Sequence, residues 1–212
     1  MVVGAGGHAR ETAWVAEASG FHVVGFVVSD LTALTHRDSR ERVLGDFGWL
    51  AGHVADYDAI AVGIGTPSAR VRVADAVTTL VPDCEWPTLV HPSAVVDPSV
   101  VRLERGAYVG AGVIATVGIR LGPWSCLNFG CTVGHETEIG RGSVVNPGAN
   151  ISGGVKIGDE VLVGSGAKVL QYLRVGERAK IGAGAVVIRD VDPDTTVVGV
   201  PARRVVRGGE RA

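Results

Sequence analysis

Val133-Gly134-His135-Glu136 places an imidazole beside a carboxylate, directly after an aliphatic residue, and His135 is the sole histidine from residue 92 onward. Imidazole, with an unperturbed pKa of about 6.5, can take and return a proton near neutral pH. An adjacent carboxylate can hold its tautomer and strengthen it as a base. An exposed, solvated turn would carry the same two residues, so the pair alone leaves both readings open. A second cluster, Gly4-Ala5-Gly6-Gly7-His8, stands between the apolar Val2-Val3 and a helical stretch from about Arg10 to Ser19. Glycines between a strand and a helix let backbone N–H groups approach a phosphate. The cluster is not a complete G-x-G-x-x-G, and a plain tight turn would look alike. Gly63-Ile64-Gly65, after the apolar run Ala59 to Val62, is a further glycine turn of this kind.

The elements that must hold these residues follow two grammars. Residues 1–90 alternate strand and helix: Val2-Val3, the Arg10 helix, Val23 to Val28, Ala59 to Val62, then helical spacing from Ser68 to Leu80. This predicts an α/β domain with a small Rossmann-like parallel sheet. From Val109 the period becomes six. Every sixth residue through Val187 is Val, Leu or Ile except Ala115, and glycine follows in eight of these fourteen hexads. Each hexad makes one short strand that points an aliphatic side chain inward and then turns at a corner. Three hexads close a triangular coil, and coils stack strand on strand. The prediction for residues 91–212 is therefore a left-handed parallel β-helix with a C-terminal tail, with Val95 and Val101 continuing the pattern after a shift.

The hexads and the closing Gly199-Val200-Pro201-Ala202-Arg203 resemble the hexapeptide-repeat acyltransferase superfamily. Within it, Leu127-Asn128-Phe129-Gly130-Cys131-Thr132-Val133-Gly134-His135-Glu136-Thr137-Glu138-Ile139-Gly140 is similar to the catalytic stretch of bacterial nucleotide-sugar (4-amino-4,6-dideoxy sugar) N-acetyltransferases and the related sialic acid O-acetyltransferase group. The resemblance implies a homotrimer with acetyl-CoA held between prisms and a nucleotide sugar as acceptor. His135 is then the base, Glu136 its assistant and Asn128 a residue near the reacting amine, although an asparagine at a corner is also explained by its tolerance of left-handed backbone angles. Acetyl-CoA contacts fall on Val144, Ser165 and Ala183, with Val144 standing where relatives often have a second histidine. In the N-terminal half, Gly6, Gly7, His8 and Gly63 would lie at the phosphates or sugar. Where relatives carry an acidic pair after the second strand, this chain has Val28, Ser29 and Asp30, so recognition there falls to Ser29 and Asp30.

Composition narrows the alternatives. With 20 basic and 22 acidic side chains, net charge −2, nothing marks a nucleic-acid or acidic-membrane partner. No apolar run reaches the roughly 20 residues needed to span a bilayer. Cys84, Cys126 and Cys131 are odd in number without C-x-x-C spacing, and no secretory leader pattern opens the chain, which together predict the cytoplasm. The same prism serves zinc carbonic anhydrases, which need three histidine ligands, whereas only His91 and His135 lie in this half, so no metal is expected. O-acetylation of a sugar hydroxyl by the same base and a non-catalytic sugar-binding scaffold are the remaining alternatives. The donor to the reaction's oxyanion is not identified by sequence.

Overall fold

The computed structural model describes residues 1–205. Four parallel strands, β1 (Val2–Val3), β2 (Phe26–Val28), β3 (Val43–Asp46) and β4 (Ala61–Val62), form one sheet in the order β3-β2-β1-β4. Helices α1 (Gly7–Ala18), α2 (Phe47–Gly52) and α3 (Pro67–Leu80) cover it. The helices expected near Arg10 and Ser68 are α1 and α3. Pairing of β2 with β1 starts only at Phe26, so the strand is shorter than the apolar run that suggested it. β3 and α2 were not anticipated: Val43-Leu44 is a brief apolar signal, and α2 is fixed by its cap, in which the Asp46 carboxylate accepts a hydrogen bond from Trp49 N at 3.0 Å.

From Leu89–Val90 onward the chain winds into a three-faced left-handed β-helix, whose sheets have eight, six and five strands. Through the middle of the prism neighbouring strands on a face are 18 residues apart, as in Cys126↔Val144, Thr132↔Asn150 and Glu138↔Lys156, whereas Val95 pairs with Ile114 at its beginning and Lys180 with Thr196 at its end. The periodic aliphatic residues point inward as expected. A second inward column two residues earlier in each hexad holds small residues such as Ala107, Cys131, Ala149 and Ala167, so large and small side chains alternate along the axis. Thr137 and Ser143 interrupt that column and donate to the carbonyls of Ser152 (3.1 Å) and Gly158 (2.7 Å), which removes the penalty of burying a hydroxyl. At the beginning of the prism the phase differs from the sequence expectation. Val96, paired with Ala115, faces the core, and Val95 is 63% exposed.

The three faces have different fates. On the first, the outward residues Leu89, Tyr108, Cys126 and Val144 pack against Ala9, Ala13 and Ala16 of α1. The third is charged, with Arg120 on Glu104 (2.7 Å) and Lys156 on Glu138 (2.9 Å). The second presents Ile114, Thr132, Asn150, Lys168 and Val186 at its surface, and among the described residues it carries no ion pair like those of the third.

Arg70 locks the two halves together. It shares the buried side of α3 with Ala74 and Val77, and it has almost no exposed surface. Its guanidinium donates to the carbonyls of Val62 (2.8 Å) and Ile64 (3.1 Å) in the first domain and of Trp124 (2.5 Å) in the prism. Arg141 pairs with Asp75 of α3 across the same junction, and its guanidinium lies 5.0 Å from the Trp124 ring. Truncating Arg70 orphans three buried carbonyls. Arg70→Ala should therefore destabilise the fold by roughly 2–4 kcal/mol, read as a lower midpoint in denaturant unfolding.

Candidate active site

His135 sits on the corner between the second and third faces, two residues beyond the strand Thr132–Val133. The imidazole is half-exposed and lies across Gly153, the equivalent position one coil later, where any Cβ would run into the ring. Gly154 N donates to His135 O at 2.7 Å and fixes the backbone beneath the ring. Glu136 Oε2 is 3.5 Å from His135 Nδ1, within ion-pair range but longer than a good hydrogen bond. Glu136 itself has φ 58°, in the left-handed region, and its N–H is held by Val117 O at 2.9 Å. An imidazole with a carboxylate in ion-pair range and one side open to solvent can exchange a proton with a ligand lying along this edge.

Asn128 does not join this pair within one chain. It stands on the other corner of the same coil, between the first and second faces, is nearly buried, and accepts from Phe129 N at 2.9 Å. Its backbone is not left-handed, so the corner does not owe its asparagine to unusual angles. Ser165 and Ala183 are exposed on that same corner, 18 residues apart, and are tied by the hydrogen bond from Gly184 N to Ser165 O at 2.8 Å. Val144 has no exposed surface. It belongs to the outward column of the first face and is packed under α1, so a single chain does not offer its side chain to a ligand.

The glycine turn of the first domain is built as expected at its centre and differently at its edges. Gly6 is the N-cap of α1, and Gly7 and His8 form its first turn, leaving N–H groups free at a helix N-terminus. Gly4, with φ 119°, could carry no side chain, because a Cβ would stand 2.8 Å from Gly63 O. Gly63 serves packing: a Cβ there would meet Ala9 Cα at 2.7 Å and Val2 Cγ1 at 2.9 Å, so its bareness admits α1 to the sheet. Gly65 is the glycine of that turn that faces the His8 ring, 3.7 Å from where its Cβ would be.

His8 is largely buried, and Nδ1 lies 3.2 Å from Glu11 Oε2. Burial, and then the nearby Arg70 guanidinium, push its pKa below the ordinary histidine value, so the ring is neutral near pH 7. With Nδ1–H donated to Glu11, Nε2 is an acceptor and has no partner among the described residues. Ser29 is exposed. Asp30 Oδ1 accepts from Thr32 N (2.8 Å) and Thr32 Oγ1 (2.6 Å), bonds that hold its carboxyl below the usual carboxylate range. Asp38, which sequence did not single out, has Oδ2 held by Thr35 N at 2.6 Å and its other oxygen beside Gly6. Arg70 was missed as well, although an arginine at helical spacing with Ala74 and Val77 was a signal that it is buried.

Comparison with known proteins settles the family. A model described as the PglD N-terminal domain matches residues 1–77, and one described as bacterial transferase hexapeptide (six repeats) matches residues 136–171. Comparison with curated protein sequences gives no match. Among solved structures, the acetyltransferase domain of PglB from Neisseria gonorrhoeae FA1090 in complex with acetyl coenzyme A is 30% identical, with TM-score 0.85 over 96% of this chain and 97% of that one. The chain belongs to the hexapeptide-repeat nucleotide-sugar acetyltransferases. PerB from Caulobacter crescentus, in complex with CoA and GDP-perosamine, is 29% identical, with TM-score 0.87 over 97% of this acetyltransferase and 96% of PerB. WeeI from Acinetobacter baumannii AYE, 24% identical with TM-score 0.83 over 96% and 98%, shares the fold.

The acetyltransferase is thus an acyl-transfer enzyme, and the bare backbone under His135 becomes a testable part of it. Gly153→Ala should push the imidazole out of place and lower acetyl-transfer turnover by about 10²-fold, with little change in the thermal unfolding midpoint.

Proposed function

We propose that this enzyme transfers the acetyl group of acetyl-CoA to the amino group of a nucleotide-linked amino sugar, with His135 as general base and Glu136 orienting it. The observation that carries this reading is the full-length similarity to PerB, whose structure holds both CoA and GDP-perosamine, together with the placement of His135 on an exposed prism edge. Two further structures of the Caulobacter crescentus enzyme in complex with the same two ligands are substitutions of a single histidine, which supports a histidine-centred site in this group.

The amine attacks the thioester carbonyl while His135 takes its proton. The tetrahedral intermediate then collapses, the C–S bond breaks, and the proton passes from His135 to the departing thiolate. A backbone N–H would serve the oxyanion. Asn128, Ser165 and Ala183 share one corner and His135 another, so a complete site needs the corner of a second copy, and the proposed assembly is a homotrimer. Ser165 and Ala183 then face the donor, Asn128 faces the reacting amine, and Val144 backs that wall from beneath α1. Gly6, Gly7 and His8 hold the diphosphate end of the acceptor, Ser29 and Asp30 border it, and Gly63 lets α1 approach closely enough to form the turn. The His8 ring is neutral and its Nε2 is buried, so the contribution of His8 to the acceptor is its backbone N–H. Three unpaired cysteines fit a reducing cytoplasm.

Acetyl-CoA and a panel of nucleotide-linked 4-amino sugars, GDP-perosamine among them, form the test. The product should survive mild alkali as an amide does; an alkali-labile product would show transfer to oxygen instead. His135→Ala should lower kcat by about 10²–10⁴-fold, while light scattering still reports about three times 21.9 kDa. Wild-type turnover in that variant would remove His135 from the chemistry.

A further inference from the structure

The corner that carries His135 holds two non-glycine residues in the left-handed backbone region, Glu136 at φ 58° and Tyr172 at φ 61°. They occupy one column, separated by Gly154, with Gly118 at its start. Both glycines are open to their neighbours: a Cβ on Gly118 would stand 3.5 Å from Glu136 Cγ, and one on Gly154 would collide with the Tyr172 ring. An L-residue adopts this backbone at a cost that glycine avoids, and such strain concentrates where a side chain is needed for function. Glu136 has its role beside His135. Tyr172 has none yet, although its ring is 68% exposed and sits edge-on to the His135 imidazole, with centroids 6.5 Å apart and planes at 63°.

The position of Tyr172 along the prism points to its ligand. The acceptor's glycine turn lies against the beginning of the prism, where the His8 ring is 5.6 Å from Tyr108. Tyr172 is on the far side of His135 from that turn, in the same coil as Ser165. The edge also changes character there. The residues following the inward position are Gly134 and Ser152 near His135, then Leu170 and Ile188, both substantially exposed, beside Tyr172. Past His135 the edge therefore has an apolar side, Leu170 and Ile188, beside the exposed polar Gln171 and Arg189, and the Tyr172 ring stands over it, which suits an amide-bearing arm ending in a thioester.

We propose that Tyr172 forms the donor side of the active site, its ring packing on the pantetheine-type arm of the acyl donor and setting the thioester next to His135. This rests on the acetyl-CoA-dependent function proposed above. Tyr172→Gly removes the ring and relieves the left-handed backbone, whereas Tyr172→Phe keeps the ring. The glycine variant should raise KM for acetyl-CoA roughly five- to tenfold and weaken thermal protection by CoA, with acceptor KM and oligomeric state unchanged and the unliganded thermal midpoint no lower than that of wild type. The phenylalanine variant should stay within about twofold of wild type. Wild-type donor KM in Tyr172→Gly overturns the inference, as does an effect confined to acceptor KM or a loss of the oligomer. Failure of CoA to protect the wild-type protein would instead overturn the acetyl-CoA reading itself, and this inference with it.

Discussion

Everything in this molecule depends on the interior of the prism accepting one aliphatic side chain per hexad in a fixed register. Because Leu127 stacks on Val145 and Val133 on Ile151, each corner residue lies directly over its equivalent one coil away. Chemistry on such a scaffold is written in columns rather than in sequence neighbourhoods. The His135 ring lies across Gly153 and the Tyr172 ring across Gly154, so each side chain has its place because one neighbour in its column carries no Cβ. Removal of apolar surface from water sets the register, and the register decides what stands next to what.

The second constraint is the junction. An outward column of Tyr108, Cys126 and Val144 would be an apolar stripe on an isolated prism, and α1 covers it with alanines small enough to lie close. Arg70 adds a buried cation whose hydrogen bonds go to backbone carbonyls on both sides, so it holds the halves in one geometry without an opposing carboxylate. Burial lowers its pKa, and the carbonyl dipoles stabilise the charged form in exchange. The glycine turn is thereby tied to the prism that carries His135.

How much of this was legible in the sequence follows from which forces are local. The hexad is a local pattern, so the prism and its inward column could be read directly, and His135 with Glu136 stood out as a polar pair after an inward residue. The start of the prism misled, since Val95 and Val96 are equally apolar and only pairing with Ala115 decides which turns inward. Val144 illustrates a deeper limit: a valine in an outward position reads as a site residue by analogy with relatives, but its surroundings come from a helix more than a hundred residues earlier. Gly63 and Arg70 were opaque for the same reason, their roles being set by Ala9 and Trp124. Asp38 gave no signal because its place beside Gly6 depends on the path of an irregular loop.

The 18-residue coil also works as a ruler. The glycine turn meets the prism at Tyr108, and His135 is set further along the same axis by stacked coils that advance in steps of about 4.8 Å. The span between that turn and His135 is therefore set in whole coils, which can be gained or lost without disturbing the interior, whereas an extra residue has to be absorbed at a corner, as at the beginning of the prism, where Val95 pairs with Ile114. An enzyme of this architecture can move to a longer or shorter acceptor only in jumps of one coil, and finer adjustment falls to the side chains at the corners.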